Sequence, residues 1–181
     1  MDNVYIFDCE VFQYDWLFIF KEKATGEYTV IWNDNEAVDE FMKREPLLAG
    51  FNNKRYDRFI LQAVLSGFTP EEIKAVNDFI IVGGHEGWEY APLRDCGIFF
   101  DQYDLMDDCQ MGLSLKAIEA HLGMDIRETT VPFNIDRPLT EDEKREVEFY
   151  CRHDVDATDR LDDLRQGYLS SKLLSLIHIS E

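Results

Sequence analysis

The sequence predicts an α/β domain whose sheet is laid down first and whose helices follow. β-branched and aromatic runs crowd the start of the chain, with NVYIFD at 3–8, YDWLFIF at 14–20 and EYTVIW at 27–32. Apolar residues at helical spacing, bracketed by capping residues, take over from residue 35. The longest helical pattern comes last, opening at Thr140.

Each element has a local reason. The run at 3–8 is continuously apolar and ends on Asp8, the pattern of a buried strand. The runs at 14–20 and 27–32 flank the polar turn KEKATG, which makes a hairpin the economical reading and gives an antiparallel three-strand start. NDN at 33–35 offers caps for a helix near 35–44, carried by Ala37, Val38, Phe41 and Met42 and stopped before Pro46. LLAGFN at 47–52 is a short strand ending in a turn, after which Asp57, Ile60, Leu61, Val64 and Leu65 recur at helical spacing. Thr69 ahead of Pro70 caps a short second helix. The glycine-rich stretch DFIIVGG, HEGWEYAP and CGIFFDQYDLM is expected to hold two strands around a loop. A helix from Ser114 to Gly123, an irregular 124–138 and a helix from the Thr140–Glu143 capping box to about residue 165 complete the chain.

With 181 residues and 45 % hydrophobic content the chain suits one domain. A net charge of −19 argues against gripping nucleic acid by broad phosphate neutralisation, although bound divalent cations would invert the field locally. Cys9, Cys96, Cys109 and Cys151 form no CxxC pair, which points to a reduced, intracellular chain. The N-terminus has no basic segment ahead of a long apolar run, so neither a signal peptide nor a spanning helix is expected, and no membrane partner. SSKLLSLIHISE at 170–181 is apolar and Ser-rich after a charged helix. The domain is therefore placed at 1–168, with 169–181 a non-native or truncated tail or a terminal amphipathic helix.

Four acidic residues carry the chemistry. Asp8 and Glu10 stand at DxE spacing on a strand, so their carboxylates share one face, and two like charges that close need a cation or a shared proton. Asp57 opens a helix, where an ordinary cap is the alternative. Asp154 lies one helical turn after Tyr150, which would sit beside metal-bound water or else pack in the core. Asp156, Asp159, Asp162 and Asp163 on the same helix read mostly as a solvated face. Asp104, Asp107 and Asp108 read as a strand-end turn, and His85 and His121 as structural.

Together FDCEVF, GFNNKRYDRFIL and YCRHDVDATDRL resemble, in order and separation, the three exonuclease motifs of the DEDD superfamily of 3'-5' exonucleases. The second motif is similar to the family-B DNA polymerase form, and the third to the tyrosine version, since Phe149 stands where the histidine version needs His. The resemblance covers about residues 1–165 and implies a ribonuclease-H-like fold, a central mixed sheet flanked by helices. It implies two Mg2+ or Mn2+ ions held by Asp8, Glu10, Asp57 and Asp154, with Tyr150 orienting the nucleophilic water. It further implies single-stranded DNA or RNA 3' ends as substrate, nucleoside 5'-monophosphates as product, and a cytoplasmic setting in a bacterial or phage-infected cell. A polymerase module in the same or a separate chain is the implied partner. Val11 and Phe12 would stack or wedge the terminal base, against a core-packing alternative; Asn52 would hold sugar or phosphate. Lys54, Arg55 and Arg58 offer phosphate contacts or are solvated charge. A non-catalytic interaction module on the same fold and a two-metal endonuclease are the competing functions.

Overall fold

The computed structural model describes residues 3–109, 114–121, 123 and 129–179, apart from the side chains of 108, 121 and 168–179. The elements are β1 (Val4–Val11), β2 (Trp16–Glu22), β3 (Tyr28–Trp32), α1 (Asn35–Met42), β4 (Leu47–Gly50), α2 (Asp57–Leu65), α3 (Pro70–Ile81), α4 (Ala91–Arg94), β5 (Gln102–Asp104), α5 (Leu115–His121) and α6 (Glu141–Ile179). One five-stranded mixed sheet runs β3-β2-β1-β4-β5. The first three strands are antiparallel, as the hairpin reading expects, and β4 and β5 continue parallel to β1.

Strand periodicity of two sorts the side chains into two layers. Tyr5, Phe7, Cys9 and Val11 of β1, with Phe18 and Phe20 of β2, face α1, α2 and α3 and meet Phe41, Phe59, Ile60 and Ile73. Phe20 is the hub of an aromatic stack there, its ring centroid 4.1 Å from Phe41 and 5.8 Å from Phe18. Ile6, Leu17, Ile19 and Ala49 face the other way, onto Val147, Cys151 and Val155 of α6. Asp8 and Glu10 share the Ile6 face, so the strand that builds the core also delivers two carboxylates beneath α6.

α6 is held at both ends of its contact with the sheet. At its start, buried Asp15 accepts the Leu139 N–H at 2.8 Å and an Asn33 amide bond at 2.7 Å, with the Lys144 ammonium 3.3 Å away. The Thr140–Glu143 capping box forms as expected. Further along, Lys21 of β2 and Lys23 just past its end reach across to the helix: Lys21 pairs with Asp156 and Asp159, and Lys23 with Asp159, Asp162 and Asp163. The solvated-face reading holds for Asp156 and Asp163, whose side chains are 47 % and 70 % exposed, and is corrected for Asp162, fully buried, and Asp159, only 17 % exposed. Burial alone would raise the Asp159 pKa, yet the two ammoniums hold it below the ordinary value.

Two further expectations change. DFII at 78–81 is the last turn of α3, not a strand, because the Thr69–Glu72 capping box starts a helix that buries Ile73 and Val76 and packs Ile80 on the core. The excursion therefore supplies one strand, β5, in place of two. The last helix continues past 165 to Ile179, and the expected tail side chains at 169–181 lie outside the described residues. No helix among the described residues is long and apolar enough to cross a membrane.

Removing Lys23 leaves the buried Asp162 carboxylate with weaker partners, Tyr103 Oη at 3.1 Å and Arg165 at 4.0 Å. Lys23→Met is expected to cost roughly 2–4 kcal/mol in urea denaturation. Adding Asp162→Asn should recover part of that loss; additive losses would mean the pair does not clamp α6 to the sheet.

Candidate metal centre

β1 outruns its parallel neighbour. Its pairing with β4 spans only Val4–Ile6 against Leu47–Ala49, while β1 itself continues to Val11. Beyond the end of β4 the chain turns through residues 51–56 and enters α2 at Asp57, filling the margin that β4 leaves uncovered. Gly50 makes that turn possible, since a Cβ there would come within 2.9 Å of the Asn53 Cβ and 3.2 Å of the Phe7 carbonyl oxygen. Asn52 follows in the left-handed region at φ 64°, which Asn tolerates better than most residues.

Asp104, at the end of β5, fixes the loop by accepting the backbone N–H of Asn52 at 2.8 Å, Lys54 at 3.0 Å and Met106 at 2.9 Å. The strand-end reading of Asp104 thus stands, with an added role: its buried carboxylate sets where Asp57 begins. Asp57 is 4 % exposed; the Cys9 thiol donates to its Oδ1 at 3.2 Å. The helix-cap alternative gives no full account of so buried an acid, because its own N–H and that of Cys9 are its backbone donors.

Asp8, Glu10, Asp57 and Asp154 converge from β1, α2 and α6. Burial pushes the Asp8 carboxyl well above the ordinary range, reinforced by the charges of Asp57, Glu10 and Asp154. Glu10 is raised in the same way, by burial and then by Asp154 and Asp57, against the opposing charge of Lys116. Asp57 is pushed up to about 6, mainly by burial. Glu10 is 8 % exposed, and among the described residues no donor bonds its carboxylate. Among the described residues the candidate ligand set is Asp8, Glu10 and Cys151, whose donor atoms all lie within 4.8 Å of one another. Asp57 and Asp154 press on that set electrostatically from its rim. Buried, mutually repelling carboxylates, one of them without a donor among the described residues, fit a divalent cation, which supplies the missing positive charge.

Tyr150 and Asp154 lie on one face of α6, one turn apart, near enough for the Asp154 charge to act on the phenol. Burial and the Asp154 and Glu10 charges drive the phenol pKa far above its ordinary value, which favours a role in orienting water over one in removing its proton. Lys116 of α5 was not legible as a site residue. Its ammonium lies 2.5 Å from Asp154 Oδ1, 3.5 Å from Glu119 and 4.8 Å from the Tyr150 ring centre. A Lys on a short helix carries no local signal of that placement.

The proposed substrate contacts divide. Phe12 is buried, with its ring 5.1 Å from that of Phe133, so it packs in the core in place of standing open to a base. Val11 is also buried but lines a cavity of about 350 Å3 together with Glu10, Tyr56, Asn77 and the half-exposed Phe133. Lys54 Nζ is 2.5 Å from Asp107, and Arg55 is exposed at the loop tip. Arg58 lies over the Phe59 ring, 4.8 Å from its centre. The larger concavity, about 900 Å3 beside Lys43, Pro46 and Phe99, lies at the other end of β4 and holds none of these acids.

The acid cluster sets a pH dependence. Below pH ~4 Asp57 is protonated in folded and unfolded chains alike; above that the unfolded carboxyl ionises while the folded one resists until about 6. Metal-free stability should therefore fall as pH rises from ~4 through 6, with Asp8 and Glu10 acting in the same direction. In thermal melts with chelator the expected drop is about 5 °C or more, reduced in Asp57→Asn and by added Mn2+; a flat profile would contradict the cluster. In comparisons with known proteins, no family model, no curated protein and no solved structure matches this chain.

Proposed function

We propose that this chain is a metal-dependent 3'-5' exonuclease that hydrolyses the terminal phosphodiester of single-stranded nucleic acid, DNA foremost, to nucleoside 5'-monophosphates. The observation that carries the reading is the convergence of Asp8, Glu10, Asp57 and Asp154 around one buried centre with Tyr150 beside it. That three sequence-distant segments meet there supports the reading suggested by the DEDD resemblance. An antiparallel three-strand start continued by two parallel strands is compatible with the ribonuclease-H-like fold.

Two Mg2+ or Mn2+ ions, when bound, would supply an activated water and charge relief at the leaving 3'-oxygen. The chain's own groups have separate tasks. Asp8 and Glu10 hold the centre from β1, Asp154 from α6, and Asp57 from the start of α2. Tyr150 donates its O–H and so orients the attacking water without removing its proton. Lys116 positions Asp154 and balances part of the acidic charge. The cavity between Val11, Tyr56 and Phe133 adjoins Glu10 and offers an apolar wall for a terminal base. Asn52, Lys54 and Arg55 stand on the loop before Asp57, where sugar and phosphate contacts would be made.

The test uses a single-stranded oligonucleotide labelled at its 5' end, with Mg2+ or Mn2+. The label should shift to progressively shorter products while a circular strand stays intact. Asp8→Ala or Asp154→Ala should lower the rate at least about 1,000-fold, and Tyr150→Phe about 10- to 100-fold. Cleavage of the circle would make the protein an endonuclease. A folded, metal-binding protein that leaves both substrates whole, with Asp8→Ala indistinguishable from it, would leave an interaction module.

A further inference from the structure

Carboxylate-based phosphodiester hydrolysis has no use for a thiol, yet the candidate metal-ligand set found among the described residues contains one. Cys151 is fully buried on α6, and its thiol donates a hydrogen bond to Asp8 Oδ2 at 3.6 Å, so an ion binding there would take the place of the thiol proton. Together with Glu10 these atoms fall within 4.8 Å of one another, while Glu10, nine-tenths buried and without a hydrogen-bond donor among the described residues, has its carboxylate directed at the same point. Around a tetrahedral zinc-class ion, metal–sulfur and metal–oxygen bonds of about 2.3 and 2.1 Å set sulfur and oxygen about 3.6 Å apart. The Asp8–Cys151 separation already equals that edge. Mg2+, by contrast, is octahedral, takes oxygen donors and has little affinity for sulfur.

We propose that Cys151 is a metal ligand, and that Asp8, Glu10 and Cys151 form an S/O site selective for a thiophilic divalent cation of the zinc class over Mg2+. On coordination the Cys151 S–H proton passes to solvent and the sulfur lone pair forms the new bond, so binding releases a proton. The inference rests on reading the acids as a metal centre, not on which phosphodiester is cut. The Cys9 thiol does not share the site, since it lies in the opposite layer of β1 and donates to Asp57.

The probe is Co2+ alone, titrated into the full-length protein and followed by absorption. The expected result is an intense near-ultraviolet thiolate-to-cobalt band that Zn2+ abolishes and Mg2+ at large excess does not. Cys151→Ser should lose the band and weaken Zn2+ binding at least about tenfold, while Mn2+ affinity stays within about threefold. Cys9, Cys96 and Cys109 remain in that variant, so a band that persists overturns the assignment. Cys151→Ala, which avoids a buried hydroxyl, repeats the test if the Ser variant fails to fold. Co2+ bound without a thiolate band overturns the proposal and leaves the metal centre standing. A wild-type chain that binds none of these ions overturns both.

Discussion

Carboxylates buried together repel one another, and the structure around them is arranged so that the repulsion is borne without being relieved. Burial penalises each ionised oxygen, and each neighbour adds to the penalty; Asp8 feels Asp57, Glu10 and Asp154 in turn. Lys116 is the cation on the scene, and it answers chiefly to Asp154. A cluster of this kind is costly to keep in a fold unless something outside the chain completes it. A divalent cation is the simplest completion, and the chemistry proposed for the protein follows from it.

The scaffold that holds the acids is stiff where they attach. β1 is the central strand, paired on both sides at its start and buried along nearly its whole length. Its aromatic layer locks it to α1, α2 and α3, while Val147, Cys151 and Val155 press α6 onto its other face. The Lys21 and Lys23 pairs keep α6 from rotating about that contact, and the Asp15 bonds fix where the helix starts. Between them, Gly50 and Asp104 decide where the chain leaves β4 and where Asp57 lands. The site therefore depends on residues that never approach it: a lysine on β2 and a glycine at a strand end.

Much of this was legible in the sequence because the signals were local. β-branched and aromatic runs marked β1 through β3, the Thr69 cap ahead of Pro70 and the Thr140–Glu143 capping box marked two helix starts, and the DxE spacing put Asp8 and Glu10 on one face. What failed had a tertiary cause. DFII carries β-favouring residues, but the cap at Thr69 and the core contacts of Ile73 and Val76 keep the segment helical. Asp159 and Asp162 resemble part of a solvated face until Lys21 and Lys23 come alongside. Phe12 sits beside a catalytic-type motif, yet the sheet directs its ring into the core against Phe133. Lys116 and Cys151 became visible only when α5 and α6 were placed against β1.

The most direct measurement is electron paramagnetic resonance of the protein loaded with Mn2+ to saturation, with the bound ions counted in the same sample. Two ions per chain, close enough for their spins to couple, are expected, and Asp8→Ala should abolish the coupling. No tight Mn2+ binding, or one isolated ion whose spectrum is unchanged in Asp8→Ala, would contradict the buried acids as a two-ion centre.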